Sequence, residues 1–193
     1  MNVPLRKPDY APLVILFLAV AIVAIGCSND TTEFPKLVFV DSPDCADLNR
    51  QSLPVTNLTL NSNVASAEVA VEVAGTSSQR AQGLMCREYV PSGTGMLFTY
   101  DTDLSDGFWM KNTYVPLEIL YIDSSKSIVD KIFMAPCPRG DLSDGDWEVK
   151  CATEAVNYVP KSSWRYTLEL PAGWLDQQEL SDIAEIGGTA SWD

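Results

Sequence analysis

The sequence predicts a mainly β protein, one β-sandwich or barrel domain with one or two short helices. Short runs of alternating apolar and polar residues recur along the chain, separated by turn residues. Helical signals are brief and sit between those runs. Of the 193 residues, 46% are hydrophobic, enough for a single core.

The elements follow in order. Val69, Val71 and Val73 alternate with Glu68, Ala70 and Glu72, the pattern of a half-buried strand. Thr76 and Gln79 have capping-box spacing, so a short helix should run to about Leu84. Residues 95–100 (GMLFTY), 108–111 (FWMK), 117–122 (LEILYI) and 127–134 (SIVDKIFM) read as four further strands. The last two are joined by a turn at Asp123, Ser124, Ser125 and Lys126. Tyr166, Leu168 and Leu170 alternate on one face of a strand over 164–170 that Pro171 and Gly173 end. A helical turn over 174–180 and a short strand over 189–192 close the chain.

The N-terminus reads as an address. Arg6 and Lys7 precede an uncharged apolar run over 13–25, too short for the roughly 20 residues that a bilayer requires. Gly26 and Cys27 follow, in the order of a bacterial lipoprotein signal whose cysteine is lipidated and becomes the new N-terminus. An uncleaved membrane anchor is the competing reading, and both place the rest of the chain outside the cytoplasm. The predicted organisation is a signal peptide over 1–26, a flexible lipid-anchored tether over 27–63 with room for one strand at 37–40, and a β domain over 64–193.

With 13 Lys+Arg, 26 Asp+Glu and no histidine, the chain carries a formal charge of −13. That charge argues against nucleic acid as a partner. Without histidine, no Ser-His-Asp triad, Cys-His pair or His-ligated metal can be built from this chain. Four cysteines remain beside Cys27, an even number suited to an oxidising compartment. Cys137 and Cys151 bracket a polar loop over 138–150 and form the more direct bridge. Cys45–Cys86 would pin the tether to the domain, unless Cys86 is free and packed as a small hydrophobe.

One ordered series of motifs goes further. It comprises residues 80–87 (RAQGLMCR), 95–98 (GMLF), 108–113 (FWMKNT), 116–119 (PLEI), Ile122 with Asp123, Pro136 with Cys137, and 166–173 (YTLELPAG). The series resembles the uncharacterised family called domain of unknown function 192, from about residue 68 to 192. The resemblance implies a jelly-roll-like β-sandwich and supplies no activity, so the catalytic residues stay unknown. Glu118 stands where that family usually has aspartate, and Gly187-Gly188 where Gly-Asp is usual.

The motif residues supply the candidate site: Arg80, Arg87, Phe98, Trp109, Lys111, Asn112, Thr113 and Asp123. Clustered cations in so acidic a chain point to a pocket for a small polar or carboxylate ligand, walled by Trp109 and Phe98. The competing reading is structural, with Arg80 or Arg87 paired to Asp123 or Glu118 and Trp109 in the core. A carboxylate- and Lys111-dependent hydrolase or transferase is an alternative, and soft-metal (copper) binding by Met85, Met96, Met110 and Met134 is another. No cofactor or resident metal is implied. The expected role is a binding or accessory module at the cell envelope. Its expected partners are the membrane, through the lipid, and a small polar ligand or an envelope protein.

The address is testable. Cys27→Ser should abolish lipid labelling and release the protein from the membrane fraction. Retention of the variant on membranes with an intact N-terminus identifies an anchor instead.

Overall fold

A computed structural model describes residues 34–155 and 158–193. The signal segment and Cys27 lie outside them. Among the described residues, no helix is long and apolar enough to cross a membrane.

The strands are β1 (Val55–Asn61), β2 (Ser66–Ala74), β3 (Thr94–Leu104), β4 (Leu117–Ile122), β5 (Ile128–Met134), β6 (Trp164–Pro171) and β7 (Thr189–Ser191). Between them lie α1 (Ser77–Gln82), α2 (Asp144–Ala155) and α3 (Trp174–Gln177). The strands form one sheet in the order β5-β4-β6-β3-β2-β1-β7, with β2–β3 its parallel pair. The sheet curls until its ends meet: Ser127 bridges Thr189, the Ile128 N–H donates to Gly188, and the Ala190 N–H donates to Lys126. Of the two predicted forms, this single curled sheet is the barrel-like one, which leaves less open edge.

Both faces of the sheet are covered. Leu58, Leu60, Val71, Leu97, Leu120 and Leu168 pack on one side with Trp174 and Leu175 of α3. Met96, Phe98, Ile119, Tyr121, Met134 and Trp164 pack on the other with Trp147 of α2. All six residues of β4 are therefore buried, which explains why its sequence is apolar apart from Glu118. Burying each such large apolar side chain contributes roughly 1.5–3 kcal/mol.

Three segments differ from the sequence reading. Residues 55–61, placed in the tether by their Thr and Asn content, are β1, paired with both β2 and β7. Leu58 and Leu60 alone carry its buried face. Residues 108–111 are not a strand, although Lys111 makes an isolated bridge to Cys137. Their backbone bonds elsewhere: the Phe108 N–H donates to the Tyr121 hydroxyl, and the Thr113 N–H turns back to Met110. Asn112 at φ 49° swings the chain away from any ladder. Residues 138–150, read as a polar loop, contain the start of α2. Ser143 caps that helix, its hydroxyl accepting from the Asp146 N–H at 3.2 Å, and buried Trp147 and Cys151 sit four residues apart on one helical face.

The capping box of α1 is present: Thr76 accepts from the Gln79 N–H, and Gln79 accepts from the Thr76 N–H. Both cysteine pairs are disulfides, Cys45–Cys86 and Cys137–Cys151. The second ties α2 to the strand-like bridge beside Lys111. Replacing Cys137 and Cys151 together by serine should lower stability by roughly 3 kcal/mol, the value for closing a loop of about 15 residues. A denaturant melt of the full chain measures this. An unchanged midpoint contradicts a stabilising bridge.

Candidate functional site

The site grows from the crossover between β2 and β3. α1 follows β2 directly, and its last turn delivers Arg80 to the middle of β3. Arg80 Nη1 donates to the Gly75 and Thr99 carbonyls at 2.6 and 2.9 Å, and the guanidinium stacks over Tyr100 at 4.4 Å. Opposite, residues 105–113 form a wall held from below. Trp164 Nε1 donates to the Asp106 carbonyl at 2.8 Å. Phe108 packs edge-on against Phe98 at 5.1 Å. Gly107 lies so close to Val159 and Tyr158 that a Cβ there would meet backbone atoms at 3.0 Å. Trp109 then stands 43% exposed at the rim. Lys111 Nζ lies 5.3 Å from the Trp109 ring centre, 4.8 Å from that of Trp147, and 3.4 Å from Glu148.

Between these walls is a pocket of about 170 Å³. Its lining includes Arg80, Phe98, Tyr100, Trp109, Lys111 and Glu169. Glu169 is the group the sequence reading overlooked. It is 5% exposed, and among the described residues its carboxyl has no hydrogen-bond partner. It pairs across the sheet with Met96 of β3 and Ile119 of β4, two buried apolar residues. Burial pushes its carboxyl from the ordinary 4.5 up to about 8, with the Arg87 charge opposing. At neutral pH the group is therefore mostly a neutral acid and a hydrogen-bond donor. Burial also raises the Tyr100 phenol; Arg80 opposes that shift, and Glu169 and Asp106 add to it.

Five of the eight candidates from the sequence line the pocket: Arg80, Phe98, Trp109, Lys111 and Thr113. The other three are elsewhere. Arg87 is buried and paired to Glu72 at 2.6 Å, bordering a smaller recess. Asn112 is buried and donates to the Asp44 carbonyl and to Cys86 Sγ. Asp123 accepts from the Ser125 and Ser127 N–H groups and so builds the β4–β5 turn. Glu118 lies near the start of β4, where it accepts from the Gly173 N–H and sits 3.7 Å from Lys131. Met96, Met110 and Met134 are buried in the second core cluster, and of the four methionines only Met85 lines the pocket. Among the described residues, no three His, Cys, Asp or Glu side chains cluster as a metal site.

Comparison with known proteins agrees with this fold. The model of the DUF192 family, described as "Uncharacterized ACR", matches residues 58–186. A UPF0127 protein of Thermococcus sibiricus is 26% identical over 123 residues, which is 64% of this chain and 66% of that protein. The chain thus aligns with just under two thirds of that relative's length. A Sinorhizobium meliloti 1021 protein, provisionally described as a transcription regulator, superposes with a TM-score of 0.58 at 26% identity, over 75% of this chain and 98% of that one. A Novosphingobium aromaticivorans protein of unknown function superposes with a TM-score of 0.56 at 18% identity, over 86% of this chain and 100% of its own.

Glu169 has a pH signature. Between the ordinary 4.5 and about 8, the folded protein holds a proton that the unfolded chain has lost. Stability therefore falls as pH rises through that window and levels off above the folded value. Glu169→Gln removes this share. The melting temperature of the variant minus that of the native protein should grow steadily from about pH 5 to about pH 8 and then stay flat. A difference that is constant across the window contradicts a buried, neutral Glu169.

Proposed function

The chain belongs to the DUF192 family, whose description assigns no activity, and we propose that it is a lipid-anchored module outside the cytoplasm that binds a small polar ligand in the pocket above Glu169. The observation that carries this is the unpartnered Glu169 carboxyl. That carboxyl opens onto the pocket from a residue only 5% exposed, so a ligand that accepts its hydrogen bond replaces pocket solvent at a site where low polarity strengthens the bond. Around it stand two cations and an aromatic wall, the mix of apolar surface and few polar groups typical of ligand sites. The volume of about 170 Å³ is below the roughly 300–1,000 Å³ of drug-sized sites, so the ligand is small. The signal-like N-terminus and two disulfides support an extracytoplasmic location. The regulator description of the Sinorhizobium protein is not carried over, because a net charge of −13 opposes DNA binding.

One observation favours a second reading. An acid held near neutral titration in a pocket beside Lys111 suits general acid–base catalysis, as a hydrolase or transferase requires. The two readings part on turnover, since a binding module leaves its ligand unchanged.

The test is a thermal-shift screen of the full chain against small polar metabolites, followed by calorimetry of the hits. Trp109→Ala and Lys111→Met should both lose the hits. Trp109→Ala should cost about 1–2 kcal/mol of stability, below the roughly 3–5 kcal/mol of a fully buried aromatic. Hits that persist in both variants, or a core-sized loss for Trp109→Ala, contradict the pocket.

A further inference from the structure

We propose that the ligand of this pocket is a small monocarboxylic acid bound as its anion, with Glu169 donating a hydrogen bond to the ligand carboxylate. This rests on the reading of the pocket as a binding site and names the chemistry it selects.

Charge decides first. Arg80 and Lys111 line the pocket, and Glu169 is the carboxyl that joins them there. With Glu169 mostly neutral near pH 7, the lining is positive inside a protein of net charge −13. An anion is attracted into it and a cation repelled.

The aromatic groups decide second. Aromatic walls around an acid would otherwise suit an ammonium ligand through cation–π contacts. Here those rings already have cations of this chain: Arg80 stacks on Tyr100, and Lys111 lies against Trp109 and Trp147. The tyrosine and tryptophan rings, the better cation–π partners, are thus already engaged, and the Arg80 and Lys111 charges repel an ammonium from the rest. What remains is apolar wall from Phe98, Phe108 and Leu84, which suits a short hydrocarbon or aryl body. Only Nη1 of Arg80 is held by carbonyls; Nη2 reaches no nearer than 3.4 Å to Ser77, which leaves donors for a carboxylate.

Glu169 decides third. The carboxyl lies in the apolar row of Met96 and Ile119 with no side-chain ion pair among the described residues, and a ligand carboxylate accepts a short charge-assisted hydrogen bond from it. Burial raises its proton affinity and the Arg87 charge lowers it; the other charged or titratable groups near it are Arg80 of α1, Glu72 of β2, Tyr100 of β3, Tyr121 of β4 and Lys111 of the wall. Once Glu169 ionises, it must regain a proton for the anion to enter. Binding is therefore unaffected by Glu169 well below pH 8 and weakens tenfold per unit above it.

The probes are benzoate and butanoate, with benzyl alcohol and benzylamine as neutral and cationic controls, titrated calorimetrically into the full chain at several pH values. The acids should bind near pH 7 and the amine should not. Their affinity should fall about tenfold per unit above pH 8, and binding at pH 8 in buffers of different ionisation enthalpy should take up about half a proton. Glu169→Gln, whose amide does not titrate, should abolish that pH dependence; if the variant does not fold, the native proton uptake alone decides. Preference for benzylamine, or acid binding with no proton uptake at pH 8, overturns the proposal while the pocket stands, provided binding is lost in Trp109→Ala. No binding by any probe also overturns it, and the metabolite screen then shows whether the pocket falls too.

Discussion

Arg87 is 4% exposed and gives one Nη1 hydrogen bond to Glu72 at 2.6 Å, while its Nε has no partner among the described residues. Glu72, Met96 and Glu169 occupy one cross-strand row of β2, β3 and β6, so both acids project from the same face of the sheet, roughly 10 Å apart. One buried cation therefore acts on two buried acids, and its contact with Glu72 leaves Glu169 without a direct ion pair among the described residues. Breaking such a pair costs roughly 3–5 kcal/mol because the remaining charge is stranded. The pocket chemistry depends on this unequal sharing: were Arg87 turned to Glu169, that acid would be an ordinary carboxylate.

The surrounding covalent and backbone structure fixes Arg87 on the Glu72 side. Cys86 precedes it at φ 58°, is bonded to Cys45, and its backbone N–H donates to Asn112. Arg87 itself makes an isolated bridge to Phe39, flanked by hydrogen bonds from the Val40 N–H to Cys86 and from the Glu88 N–H to Val38, so residues 38–40 lie alongside it without forming the strand expected at 37–40. The second Glu72 oxygen accepts from the Leu53 N–H. Segments before β1 are thus part of the device that holds the ion pair. On the other side, Gly95 lets β3 approach β6, since a Cβ there would run into the Glu169 carbonyl.

Much of this was legible in the residues, and the misses have physical causes. β4 follows from a short apolar run, and the β4–β5 turn and the α1 capping box from local hydrogen bonding, all signals that act over a few residues. The strand over 164–170 was also read correctly, with Tyr166, Leu168 and Leu170 on one face. Alternation then put Glu169 on the opposite face, ordinarily the solvent side. The sheet is covered on both sides, so that face is buried as well, and only tertiary packing by Met96, Ile119 and the 105–113 wall reveals it. The lone acid in an apolar strand was the available signal. β1 escaped because two leucines among Thr and Asn give little amphipathic contrast, and α2 because Gly145 and clustered acids mask its Trp147–Cys151 face. The pairing of Arg87 with Glu72 joins residues 15 apart across a crossover, which local pattern does not encode.

The measurement that bears most directly on this account is the titration of Glu169 itself, followed by the carbon resonance of its side-chain carboxyl in isotope-labelled full chain, assigned through Glu169→Gln. The expected midpoint is near 8, with Glu169 mostly protonated at neutral pH. A midpoint at the ordinary 4.5 would mean that Arg87 or solvent reaches this carboxyl, and the neutral donor at the base of the pocket would not exist.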